Sequence, residues 1–294
     1  MTFERFIAVD WSGARGPALH SLQVAFCEQG QQAPVLISNP KLTRNHWRRN
    51  DLLEWISEKL NEGVRTLVGM DFAFAYPFCD RGTYFPEDMN APVDHTELWS
   101  KVEEICAQAN GLYGGPFYLK SNATYASYIR YQTYTGEGFE ERFRQTERAC
   151  RDIYGTQPAC DFVCVGPNSV GIGSIAGMRL LNRLHKQNRH ALKIWPFEPI
   201  RDDFHALVEI FPRLFYVKAM RSPNCWHDTN TLNEVLTYYH SMPISASATV
   251  DTEDKADAIV SAAALRSFAN DAGWWATQRI DDCAAKYEGW IFGV

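Results

Sequence analysis

The apolar positions of the chain fall into short runs separated by longer helical stripes. Phe6-Ile-Ala-Val9 is an apolar run that ends at Asp10 and the turn residues Trp-Ser-Gly13, the pattern of a buried strand closed by a turn. Residues 19–26 alternate loosely, and residues 34–38 form a third run, Pro-Val-Leu-Ile-Ser. The spacers hold Gly13, Gly16, Pro17 and Gly30 and are too short for a crossover, so the pattern predicts an antiparallel meander. Leu52, Leu53, Ile56 and Leu60 then recur at helical spacing, with Gly63 at the exit. Residues 64–70 form another apolar run that ends at Asp71. A strand reached through a helix is expected to lie parallel to its partner.

From about residue 72 to 190 the pattern changes to Tyr-, Phe-, Gly- and Pro-rich sequence with charged helical pieces such as the stretch 140–148. So long a segment between core strands reads as an insertion that shapes a site. Its most Gly-dense part, Gly166 to Gly177, feeds a helix carrying Met178, Leu180, Leu181 and Leu184. Residues 206–211 read as a strand stopped by Pro212, residues 230–239 as a helix, and Asp251 opens a last helix over about 252–268. No internal repeat or low-complexity linker interrupts the chain. The expectation is an α/β protein, one domain over 1–294 with the insertion at about 72–190. Its five-stranded mixed sheet places strands four and five beyond strand one, with helices on both faces.

Composition narrows the function classes. With 46% apolar and 22% charged residues over 294 positions, the chain is neither disordered nor fibrous. No apolar run reaches the roughly 18 residues of a membrane helix, and the N-terminus lacks a signal-peptide layout. The expected location is cytoplasmic, with no membrane partner. A net charge of −6 argues against a surface that coats nucleic acid as a whole but leaves room for a local basic groove. Of the eight cysteines, only Cys160 and Cys164 are close, and no second pair follows. A zinc site is not expected, and reduced thiols are the simplest reading.

The candidate chemistry lies in acids. Asp10 and Asp71 end strand-like runs, and in an α/β sheet groups at the carboxyl ends of neighbouring strands converge on one crevice. Glu209 lies inside its run between Val208 and Ile210, where a charge is costly unless paired or bound to metal. Asp257 follows Asp254 by three residues, near the start of the last helix and on its small, apolar stripe. Several carboxylates in one pocket raise one another's pKa, and Mg²⁺ or Mn²⁺ relieves that, because hard cations prefer oxygen ligands. Two such ions about 4 Å apart can activate water and steady the leaving oxygen of a phosphodiester.

Five segments carry a resemblance: Ala8-Val-Asp-Trp-Ser-Gly13, Gly69-Met-Asp-Phe-Ala73, Asn168-Ser-Val-Gly171, Val208-Glu-Ile-Phe-Pro212 and Lys255-Ala-Asp-Ala-Ile-Val-Ser-Ala262. In this order the chain is similar to an uncharacterised family of predicted nucleases of the ribonuclease-H-like fold. The resemblance implies a three-layer α/β/α fold, an acidic site of Asp10, Asp71, Glu209 and Asp257, and metal on the first-strand Asp10 and last-helix Asp257. The expected reaction is metal-dependent phosphodiester hydrolysis of nucleic acid, with Asp71 bridging or completing the metal site and Glu209 a ligand or orienting water; the net acidity also leaves room for a small phosphorylated substrate. Phosphate contacts are expected at Ser12, Asn168 and Ser169. The acid that the well-known hybrid-cleaving enzymes carry on their first helix has no aligned counterpart here, although Glu54 and Glu58 lie nearby.

Other readings compete. Asp10 and Asp71 suit turn capping, and Glu209 suits a salt bridge to an arginine such as Arg213 or Arg179. The Gly166–Gly177 segment serves phosphate binding or tight packing equally well. At the level of function, a phosphotransferase of the actin-like ATPase and sugar-kinase group shares the strand order, but this chain has Asp10-Trp-Ser-Gly13 in place of Asp-x-Gly. A non-catalytic binding module is the third reading.

Overall fold

The computed structural model describes residues 2–43, 46–119, 122–132, 134–165, 170–245 and 249–294. The chain begins with β1 (Arg5–Asp10), β2 (Gln23–Glu28) and β3 (Val35–Leu36), then α1 (Arg49–Leu60) and β4 (Thr66–Met70). The insertion contributes α2 (His95–Cys106), α3 (Ala123–Ala126), β5 (Arg130–Tyr131), β6 (Tyr134–Thr135), α4 (Gln145–Tyr154) and β7 (Val163–Val165). The chain returns through α5 (Gly171–Asn188), β8 (Leu192–Ile194) and β9 (His205–Glu209). It closes with α6 (Pro212–Lys218), α7 (Thr229–Tyr238), α8 (Glu253–Phe268) and α9 (Ala272–Trp275).

The main sheet is mixed and has six strands in the order β3-β2-β1-β4-β9-β8. The meander pairs antiparallel, and β4, β9 and β8 continue parallel to β1. This corrects the expected five strands. The extra strand, β8, is a three-residue piece, Leu192-Lys-Ile194, too short for its alternation to register as a period. A separate three-stranded sheet, β6-β5-β7, lies within the insertion.

The sheet separates two apolar cores. Ile7, Val9, Val68 and Met70 face α1 and α5, while Phe6, Ala8, Leu67 and Val208 face α6, α7 and α8. This is the period-two alternation of a strand covered on both faces. The helix α8 lies close to the sheet because its inner stripe is small, with Ala256, Ala262 and Ala263 buried. Gly69 completes the fit: a Cβ there would lie 2.7 Å from Leu265 Cδ1. Pro212 opens α6 just after β9, as proline suits a first helical turn.

Cys79 and Cys283 form a disulfide across 204 residues of sequence, which corrects the expectation of eight reduced thiols. Such a separation leaves no spacing signal in the chain. Among the described residues, no helix is long and apolar enough to cross a membrane.

Candidate active site

Register places the acids. Val9 pairs with Met70, and Met70 pairs with Glu209. Asp10 and Asp71 are each one residue further on, so both side chains leave the sheet on the α8 face, while Glu209 leaves on the opposite face. The Asp71 amide donates to Val9 O at 3.1 Å, which holds the two strand ends side by side. On α8, Thr252 Oγ1 caps Lys255 N at 3.3 Å. The first turn carries Glu253 and Asp254, and Asp257 follows one turn later above the strand ends.

These aspartates share one electrostatic environment. Burial holds the Asp10 carboxyl well above the ordinary range, and Asp71, Asp257, Asp254 and Glu253 push it further. Burial likewise raises Asp71, with Asp257 and then Glu209 adding to the rise. Asp257 is raised to about 7, first by burial and then by Glu253. The Tyr216 hydroxyl faces Asp257 at a separation looser than a full hydrogen bond and partly offsets that rise. Among the described residues, Asp10, Asp71 and Asp257 make no salt bridge of 4 Å or less with a cationic side chain. Their oxygens do not all lie within 4.8 Å of one another. A cation there would keep waters in part of its shell or be shared between pairs of acids.

Glu209 meets a different fate. Arg144 Nη2 donates to its Oε1 at 2.6 Å and Nη1 to its Oε2 at 2.8 Å. The amide of Phe74 donates to Oε2 at 3.1 Å. This bidentate pair, with both partners buried, uses the directions a metal ligand would need. It is the salt-bridge outcome weighed from the sequence, with Arg144 as partner in place of Arg213 or Arg179. Arg144 also binds Glu147 Oε1 at 2.8 Å and lies 3.7 Å from Asp161 Oδ2.

Both groups line one cavity of about 570 Å³, which Asp71 and Asp257 enter from the α8 side and Glu209, Glu147 and Asp161 from the other. Asp10 sits behind them and is more deeply buried. Trp11, Phe72 and Tyr113 supply aromatic wall, and Arg15 and Arg213 supply positive charge at the rim. Gly13 lets the loop after β1 meet the first turn of α5, since a Cβ there would lie 2.5 Å from Gly173 N. The buried Arg49 fixes that loop by donating to Ser12 O at 3.0 and 2.6 Å and Ala14 O at 2.8 Å.

The chain matches no family model, no curated protein and no solved structure.

Of the residues expected to touch phosphate, Ser12 is buried, and its Oγ lies 2.7 Å from Ser21 Oγ. Asn168 and Ser169 lie outside the described residues. Arg144, Glu147 and Asp161 are site residues that the sequence did not single out. Arg144 stands in a charged stretch that resembles a solvated helix face. The acid at 161, beside the apolar run Phe162-Val-Cys164, gives the same signal that marked Glu209. A separate trio, Cys79, Asp281 and Cys283, brings ligand atoms within 4.8 Å. Its cysteines are disulfide-bonded, and Asp281 Oδ1 accepts from the amides of Cys283 and Ala284.

Proposed function

We propose that this chain is a ribonuclease-H-like protein whose Asp10, Asp71 and Asp257 hold Mg²⁺ or Mn²⁺ and hydrolyse phosphodiester bonds. The observation that carries the reading is the gathering of three buried or half-buried aspartates on one face, each raised by burial and by neighbouring acids, and none in a salt bridge to a basic side chain among the described residues. Buried carboxylates left in that state are costly, and a hard cation is the natural relief. Bound there, a divalent ion would lower the pKa of a water and neutralise charge growing on the phosphate.

The chain's own residues do the rest. Asp10 and Asp71 are held rigidly by paired strands. Asp257 is set by α8 and faced by the Tyr216 hydroxyl. Arg15 and Arg213 at the rim attract phosphate oxygens, and Trp11, Phe72 and Tyr113 offer apolar surface to a sugar or base. Glu209 acts through Arg144, as the anchor of the cavity's other wall.

The test offers labelled RNA, DNA and RNA–DNA hybrid, with Mg²⁺ or Mn²⁺, to the native protein and to Asp10→Asn. The expected result is metal-dependent cleavage that the substitution abolishes. Equal cleavage by both proteins removes the reading. Thermal stabilisation by a nucleotide without cleavage would point to the phosphotransferase alternative, and absence of any response to divalent ions to a binding module.

A further inference from the structure

On the side of the cavity away from α8, three buried carboxyls surround one guanidinium. Glu147, Asp161 and Glu209 are each no more than 2% exposed, and Arg144 is 1% exposed. Among the described residues, Arg144 is the only cation that bridges to any of the three. One positive charge among three carboxylates leaves two negative charges on buried groups at the cavity wall, which is costly unless something neutralises them.

Donors are distributed unevenly. Glu209 takes both terminal nitrogens of Arg144. Glu147 takes Arg144 Nε at 2.8 Å and the Arg144 amide at 2.8 Å, one bond on each oxygen. Asp161 takes the Ser174 hydroxyl on Oδ1 at 2.8 Å, and its buried Oδ2 has no donor. Glu147 Oε1 and Asp161 Oδ2 lie 2.8 and 3.7 Å from the same Arg144 Nε, which sets the two carboxyls side by side. Two carboxyls form a hydrogen bond with each other only when one carries a proton, and each oxygen of Glu147 has a lone pair left for it.

We propose that Asp161 and Glu147 share one proton at neutral pH and form a proton-donating site on the α4–α5 side of the cavity. The groups facing Asp161 are Arg144 just before α4, Glu147 from α4, Ser174 from α5, Glu209 from β9, and the uncharged Tyr76, Cys160 and Cys164. Burial raises the Asp161 carboxyl to about 6 against the pull of Arg144. Burial raises Glu147 well above its ordinary range against the same pull. Two adjoining carboxyls, both raised by burial, are suited to hold a proton, give it up and recover it.

Its use in catalysis rests on the phosphodiester reading. As the water oxygen forms its bond to phosphorus, the P–O bond to the leaving group breaks, and the leaving oxygen keeps the electron pair. That oxygen takes the proton of the Asp161–Glu147 pair. The attacking water loses its proton to solvent, and solvent reprotonates the pair, so the cycle balances.

The first arm needs no activity. Infrared difference spectra of the native protein in saturating Mg²⁺ at pH 7 are compared with those of Asp161→Asn and Glu147→Gln. The expected result is a protonated-carboxyl band in the native protein that shifts in D₂O and is lost in each variant. A band unchanged in both variants overturns the proposal. The second arm compares a dinucleotide with a p-nitrophenyl phosphodiester, whose leaving group needs no acid. Asp161→Asn is expected to lower kcat on the dinucleotide about 10²-fold or more and to leave the nitrophenyl ester nearly unchanged. An equal fall on both overturns the catalytic role. If the native protein cleaves nothing, the nuclease reading fails while the infrared arm still decides whether the proton is there.

Discussion

Two walls of one cavity handle negative charge in opposite ways. On the α8 face, Asp10, Asp71 and Asp257 are raised by burial and by neighbouring acids, and among the described residues none forms a salt bridge to a basic side chain. Across the sheet, Glu209, Glu147 and Asp161 gather around Arg144. The difference comes from register. Glu209 stands one residue short of the level of Asp10 and Asp71, and a one-residue offset sends a strand side chain to the other face. Acids at nearly the same height in the sheet thus belong to two settings, one open to a cation from solution and one supplied with a cation by the chain.

The largest expected effect breaks the supplied wall. Arg144→Met leaves three buried carboxyls without their partner, and removal of one side of a buried ion pair costs about 3–5 kcal/mol. Urea denaturation of the metal-free protein reads this loss. A cost under about 1 kcal/mol would mean that the network is not what holds the insertion against β9.

The next effect moves the open wall without touching an acid. A methyl at Gly69 collides with Leu265 and Ile210, and overpacking of this kind costs about 1–3 kcal/mol. Because α8 carries Asp257, Gly69→Ala is expected to weaken any response of the melting temperature to Mn²⁺ as well as lowering stability. Loss of stability with an unchanged Mn²⁺ response would place the cation elsewhere.

How far the sequence foretold this contrast depends on the residue. The strands that carry Asp10 and Asp71 were legible because each apolar run stops at its acid, and the last helix because its small stripe is unmistakable. The charge inside β9 was visible as an anomaly, but its partner was not. Arg144 is 65 residues away, in a stretch whose alternating charges look solvated. No local pattern distinguishes a buried arginine from an exposed one there. β8 escaped because three residues carry no period, and the Cys79–Cys283 bond because its cysteines are 204 residues apart and leave no spacing signal. The parity of Glu209 against Asp10 and Asp71 requires the pairing itself, which spacing along the chain does not supply.

Smaller effects follow from pH. Asp161 is raised to about 6 and Asp257 to about 7, both above the value of about 4 for an unfolded aspartate. A group whose folded pKa is raised stabilises fully below its unfolded value and loses that contribution as pH rises through its folded one. Without metal, melting temperature is expected to fall between about pH 4 and 8. Mn²⁺ should cancel the share due to Asp257 and leave that of Asp161. Asp10→Asn, which removes one of several like charges, should raise stability in metal-free buffer at pH 8, the sign opposite to Arg144→Met. A loss of stability in Asp10→Asn would show that the acid already has a partner.

Calorimetric titration of Mn²⁺ at pH 8 tests the central claim most directly, in the native protein and in Asp10→Asn, Asp257→Asn and Asp161→Asn. The account predicts binding to the native protein and to Asp161→Asn, and its loss in the other two. Equal affinity in all four proteins, or loss in Asp161→Asn alone, would contradict it.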